Sequence, residues 1–156
     1  MTSLHDHCTS QARRQRVLAL TPRETLETHW AALGIRAPHR CVRGPETGMA
    51  MLRGRMGGTG SAFHLGEMTL TRASVALDDG TPGGGALGHG WVRGRDRRHA
   101  ELIALVDACA RHAAWARRID LDLIAPLQKA LEARHAEASH EAAATRVDFF
   151  TLVRGE

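Results

Sequence analysis

Three polar clusters in this sequence combine residue types that can hold an anion or move a proton. The first is Arg55-Met56-Gly57-Gly58-Thr59-Gly60. Glycines let backbone amides approach a ligand closely, and a guanidinium grips phosphate or carboxylate through two parallel hydrogen bonds. The stretch is either a backbone nest for an anion or a glycine turn between two strands. The second cluster is Arg93-Gly94-Arg95-Asp96-Arg97-Arg98-His99, which runs into Glu101. His99 and Glu101 are weak candidates for catalytic proton transfer; a structural salt bridge at a helix start is the commoner use of such a pair. Arg55, Gly57, Gly58, Thr59, Gly60, Arg95 and Asp96 are candidates for phosphate binding or for a subunit interface. The third cluster is terminal: Arg146, Asp148, Phe149, Phe150 and Arg154. Adjacent phenylalanines on a strand face opposite sides, so one can enter the core while the other needs a different cover. A second chain or a helix of the same chain would supply it, which makes these five residues interface candidates.

Other motifs fail on context. Gly83-Gly84-Gly85-Ala86-Leu87-Gly88 has the spacing of a dinucleotide-binding loop, but a strand-like Gly90-Trp91-Val92 follows where a helix is required. A flexible hairpin loop is the better reading. The Arg55 stretch lacks the Gly-Lys-Ser/Thr of a phosphate-binding loop. His99-Ala100-Glu101 matches the first half of a zinc deaminase motif, yet Cys109 is the only cysteine downstream of it. His5-Asp6-His7-Cys8 reads as a polar tail before it reads as a chelator, and no metal site is expected. No serine or cysteine stands in a recognisable nucleophile signature.

The elements that must position these clusters follow from periodicity. Residues 1–9 read as a flexible N-terminal tail and residues 10–156 as a single domain. A chain of 156 residues can bury roughly 70% of the surface its unfolded form exposes. A short helix is expected over residues 10–20. Thr21, Pro22 and Glu24 then form a helix start, with Thr21 as cap, and Leu26, Trp30 and Leu33 give that helix an apolar stripe. Gly34 ends it. Residues 35–42, 49–55, 67–77 and 87–93 read as four strands separated by glycine-bearing turns. Asp96 opens a helix striped by Leu102, Ile103, Leu105, Val106, Cys109 and Ala113. Pro126 begins another helix, through about Ala144, and residues 146–154 read as a fifth strand. The expected fold class is α+β: an antiparallel sheet of about five strands with helices packed on it.

Composition excludes several classes. The net charge is +4, and nearly all the positive charge is arginine, Lys129 being the only lysine. There is no long basic block, and base-stacking aromatics are few, so nucleic acid is not an expected partner. No apolar run approaches the ~20 residues of a membrane span, and no secretory leader is evident. Three cysteines without a CxxC pair point to reduced thiols and a cytoplasmic protein.

Taken in order, several runs resemble the PhnG family, a subunit of the bacterial carbon–phosphorus lyase system. They include Glu46-Thr47-Gly48, the Arg55–Gly60 stretch, Thr69-Leu70-Thr71-Arg72-Ala73, Asp79-Gly80-Thr81 and Gly94-Arg95-Asp96. His99-Ala100-Glu101, Ile124-Ala125-Pro126-Leu127, Arg146-Val147-Asp148-Phe149-Phe150-Thr151 and Val153-Arg154-Gly155 continue the series. Residues 82–86 look inserted relative to the family hairpin. The resemblance implies a supporting subunit that associates with PhnH, PhnI, PhnJ and PhnL in a hetero-oligomer. That assembly displaces adenine from ATP with an alkylphosphonate, giving α-D-ribose 1-alkylphosphonate 5-triphosphate. The resemblance implies that ATP is a substrate of the complex, that this chain carries no cofactor, and that PhnI is the seat of the chemistry. The rival reading from the residues is a phosphate- or nucleotide-binding surface contributed to a shared active site.

Overall fold

The computed structural model describes residues 4–55 and 60–144. Two helices lead, α1 (Leu4–Leu20) and α2 (Arg23–Leu33). Three strands follow, β1 (His39–Gly54), β2 (Phe63–Leu77) and β3 (Leu87–Arg93). Helix α3 (Arg97–Ala110) and helix α4 (Ala113–Arg118) come next. A π-helical turn, Ile119–Ile124, runs on into α5 (Ala125–Ala144).

The sheet is antiparallel in the order β1-β2-β3, so the α+β class holds while the expected count of about five strands does not. The expected strands 35–42 and 49–55 merge into one long strand, His39–Gly54, which leaves residues 35–38 and Arg55 outside it. Gly44 and Pro45 between them bend β1 without ending it, because β1 is an edge strand and no neighbour needs the missing proline N–H. The register against β2 slips between Cys41 and Arg43, between Arg43 and Glu46, and between Leu52 and Arg53. These bulges absorb the extra residues. The expected fifth strand, 146–154, lies outside the described residues.

Helix α3 lies on β2 and β3, and two glycines set the distance. A Cβ on Gly88 would collide with the Ala104 carbonyl oxygen, and one on Gly90 with that of Ala100. Ala100, Ala104 and Ala108 repeat every four residues on the opposing helix face, and all are buried. Backbone therefore packs almost directly on backbone. Ala73, Val75 and Leu77 of β2 and Val92 of β3 complete the sheet side of the core, against Ile103, Val106 and Cys109. From outside that layer, Val17, Leu18, Leu26, Ile119, Leu123 and Ile124 close the cluster.

Several local readings change. Helix α1 begins at Leu4, inside the stretch expected to be a tail. Thr21 does not cap α2: its hydroxyl donates back to the Val17 carbonyl at 2.7 Å, closing the end of α1. Gly34 does end α2, in the left-handed conformation at φ 64°. Ala113 belongs to α4 rather than α3, because His112 interrupts the helix and accepts from the Ala114 N–H. The helix expected to start at Pro126 is already running. The π turn widens the ladder ahead of Pro126, and the Ala125 N–H bonds the Asp120 carbonyl. The glycine loop after β2 is hydrogen-bonded throughout: Gly84 N–H donates to Thr81 at 2.9 Å, Gly85 to Leu77 at 2.9 Å and Ala86 to Gly83 at 2.9 Å.

Candidate functional site

The start of α3 gathers most of the second polar cluster. Asp96 is its N-cap, and its Oδ1 accepts the His99 N–H at 2.9 Å. Its Oδ2 accepts Arg23 Nε at 3.0 Å, tying the start of α2 to the start of α3. Arg23 also reaches Glu27 at 3.2 Å, and Arg98 reaches the same carboxylate at 3.0 Å. Glu27, more than any other neighbour, holds the Arg23 pKa above its ordinary value. Asp96 thus caps and bridges, with both carboxylate oxygens occupied. Arg95, one residue away, is exposed and has no hydrogen-bond or ion-pair partner among the described residues.

His99 and Glu101 do not share a site. The His99 ring is buried, and its Nε2 lies 3.0 Å from the Leu18 carbonyl, where it donates to the end of α1. Glu101, two residues on, points to the opposite side of the helix. Its Oε1 lies 3.6 Å from His39 Nε2 and accepts from the Cys41 thiol at 3.5 Å. A hollow of about 300 Å³ opens there between Glu27, Trp30, His39, Arg98, Glu101 and Leu102. Partial burial first, then the hydrogen bond to Glu101 and last its charge, push the Cys41 thiol above its ordinary pKa. That is the opposite of what activates a nucleophilic cysteine.

Arg55 stands just beyond β1, and Gly60, on the far side of the turn, has φ 83°. Gly57, Gly58 and Thr59 lie outside the described residues. Among the described residues no hydrogen bond or ion pair joins Arg55 to Arg95 or Asp96. Arg146, Asp148, Phe149, Phe150 and Arg154 also lie outside. No group of three or more metal-ligating side chains forms among the described residues.

The sheet face turned away from α3 was not singled out by sequence. Leu70, Arg72 and Ser74 of β2 share it with His89, Trp91 and Arg93 of β3, as cross-strand pairing requires. The Arg72 guanidinium sits 5.7 Å from the Trp91 ring centroid and 3.2 Å from Glu46. Ser74 Oγ lies 2.9 Å from His89 Nδ1. The signal was available in β3, where large or polar residues alternate with glycine, but the pattern does not say which side a helix covers.

The family profile described as phosphonate metabolism protein PhnG matches residues 9–155. The chain belongs to the PhnG family. It is similar to a protein of Rhizobium meliloti (strain 1021) named alpha-D-ribose 1-methylphosphonate 5-triphosphate synthase subunit PhnG. The two are 41% identical over 141 residues, covering 90% of this chain and 86% of that relative. No helix among the described residues is long and apolar enough to cross a membrane.

Proposed function

We propose that this chain is an accessory subunit of α-D-ribose 1-methylphosphonate 5-triphosphate synthase. It supports the displacement of adenine from ATP by methylphosphonate rather than carrying out that step. One observation supports the accessory role. The buried polar side chains of the described residues are Thr21, Thr71, His99 and Asp107, and each is committed to holding elements together. Thr21 bonds Val17, Thr71 bonds Thr47 and Gly94, and His99 bonds Leu18. Asp107 accepts from Gln11, His89 and Arg111. Groups spent on structure are not free to cycle protons. The partners in this reading are the PhnH-, PhnI-, PhnJ- and PhnL-type subunits, in a cytoplasmic hetero-oligomer.

The test is reconstitution. Companion subunits with this chain should release adenine from ATP and methylphosphonate, and the rate should collapse when it is omitted. Full turnover by the isolated chain, or by the companions without it, would overturn the reading.

A second reading has its own support: Arg55 and Arg95 are exposed guanidiniums without partners among the described residues. They would contribute an anion-binding surface to a shared active site. Titration calorimetry with ATP against the assembled complex decides it. Arg55→Ala and Arg95→Ala would weaken binding by ~1.5–3 kcal/mol if either makes a bidentate phosphate contact.

A further inference from the structure

Among the described residues the helices occupy one side of the sheet, and none of them covers the other. In β3 the residues facing α3 are buried while Leu87, His89, Trp91 and Arg93 are exposed. Trp91 is 45% accessible, Leu87 46% and neighbouring Val42 57%. Two hollows, of about 410 and 240 Å³, share Arg72 and Trp91 as lining and form one trough along this face. A tryptophan flanked by aliphatic side chains in a trough is costly to leave in water.

We propose that this open sheet face is the seat of another protein subunit, and that the seated surface is acidic around an apolar ridge. The inference rests on the accessory role proposed above and names the surface through which that role works. Charge sets the chemistry of the occupant. Pairing places Arg40 opposite Ala76, Arg43 opposite Ser74, Arg72 opposite Glu46, and Arg93 opposite Leu70, all on this face. Among the described residues, four guanidiniums thus share this face with one carboxylate, Glu46, which pairs with Arg43 and Arg72. Glu46 lies 3.4 Å from Arg43 and 3.2 Å from Arg72, and Arg72 is steadied over Trp91. These contacts bias Arg43 and Arg72 toward one arrangement beside Trp91, which reduces the entropy lost on docking. Tryptophan and arginine at the centre of a concave patch are the residue types that dominate protein interfaces.

The occupant lies across the face and does not extend the sheet. The β1 edge carries Pro45 and three register slips, which blunt it against strand addition, and on the β3 edge the His89 N–H and carbonyl are already taken by Asp107 and Gln15. A nucleic acid fits less well, because Glu46 sits among the arginines and Trp91 is the one Phe, Tyr or Trp that lines the trough among the described residues.

The experiment uses full-length chain co-expressed with the companion synthase subunits, with assembly measured by titration of labelled protein. Trp91→Asp and the charge-reversed pair Arg43→Glu with Arg72→Glu are compared with Glu137→Lys on the exposed part of α5. Folding of each is checked by circular dichroism; if Trp91→Asp fails to fold, the charge-reversed pair carries the test. We expect the face variants to assemble about 30-fold more weakly or worse, and the α5 control to match the parent. If the parent assembles and the folded face variants assemble equally well, this inference is overturned and the accessory role stands. If the parent does not assemble at all, both fall. Face variants that lose only self-association, or only salt-sensitive binding to a single-stranded oligonucleotide, also overturn it, since the occupant is then a second copy or a nucleic acid.

Discussion

The carboxylate of Asp107 on α3 accepts the backbone N–H of His89 on β3 at 3.1 Å, from a side chain only 1% exposed. The same carboxylate accepts Gln11 Nε2 at 3.2 Å from α1 and Arg111 at 3.2 Å from its own helix. One buried group thus pins three elements at the back of the strand whose other side carries His89 and Trp91. Asp107→Ala would strand the His89 N–H and the Gln11 amide. It should cost ~2–4 kcal/mol in urea unfolding, and Asp107→Asn, which keeps one acceptor, should cost less.

Gly88 and Gly90 are places where helix and strand backbones nearly touch. Gly90→Ala should therefore destabilise by about 3 kcal/mol, the upper end of ordinary overpacking, since the obstructing atom is a helix carbonyl and cannot swing aside. Gly84, on the loop, provides the comparison: an added Cβ there would lie 3.2 Å from Asp78 O, a milder conflict. Denaturation midpoints of the two alanine variants should separate clearly.

His99→Ala distinguishes a strut from a catalyst. Removing the ring opens a buried space and leaves the Leu18 carbonyl without its donor, so stability should fall by ~2 kcal/mol. Adenine release by the assembled complex should fall far less than the ~100-fold expected for loss of a general acid or base. A drop of that size with folding and assembly intact would make His99 catalytic.

The two described cysteines should differ in reactivity. Burial pushes the Cys109 thiol up to about 12, so in the native protein it should resist alkylation at neutral pH and react only on unfolding. Cys41 is exposed and should react first. The Glu101 carboxylate raises the Cys41 pKa, so Glu101→Gln lowers it. The thiolate fraction at pH 7.5, and with it the rate with iodoacetamide, should rise; an unchanged rate would count against the contact. Cys109 also carries a linkage sign. Its folded pKa stands above the unfolded 9.0, so its stabilising effect is complete below pH 9 and is lost as pH rises toward 12. Cys109→Ala should flatten that alkaline decline in stability.

Asp96→Ala should remove the α3 cap at a cost of ~1 kcal/mol. Asp96→Asn keeps an acceptor for His99 N–H and should retain most of the stability, as thermal unfolding would show.

Much of this was legible in the residues. Asp96 as a helix opener, Gly34 as a helix stop and the long stripe of α3 are local signals, set by capping and by period within one element. The ordered motifs also carried the family, because runs such as His99-Ala100-Glu101 keep their sequence whatever role the fold gives them. Tertiary structure alone decided which partners those residues meet. His99 and Glu101 are neighbours in sequence, yet helical geometry sends one to α1 and the other to β1. Gly88 read as the end of a loop motif and Gly90 as an ordinary strand residue; only α3, laid on both, makes them points of close backbone approach. Two apparent strands became one because an edge position tolerates Pro45. Which side of the sheet the helices cover, and hence the exposure of Trp91, depends on long-range packing that alternation along a single strand cannot encode.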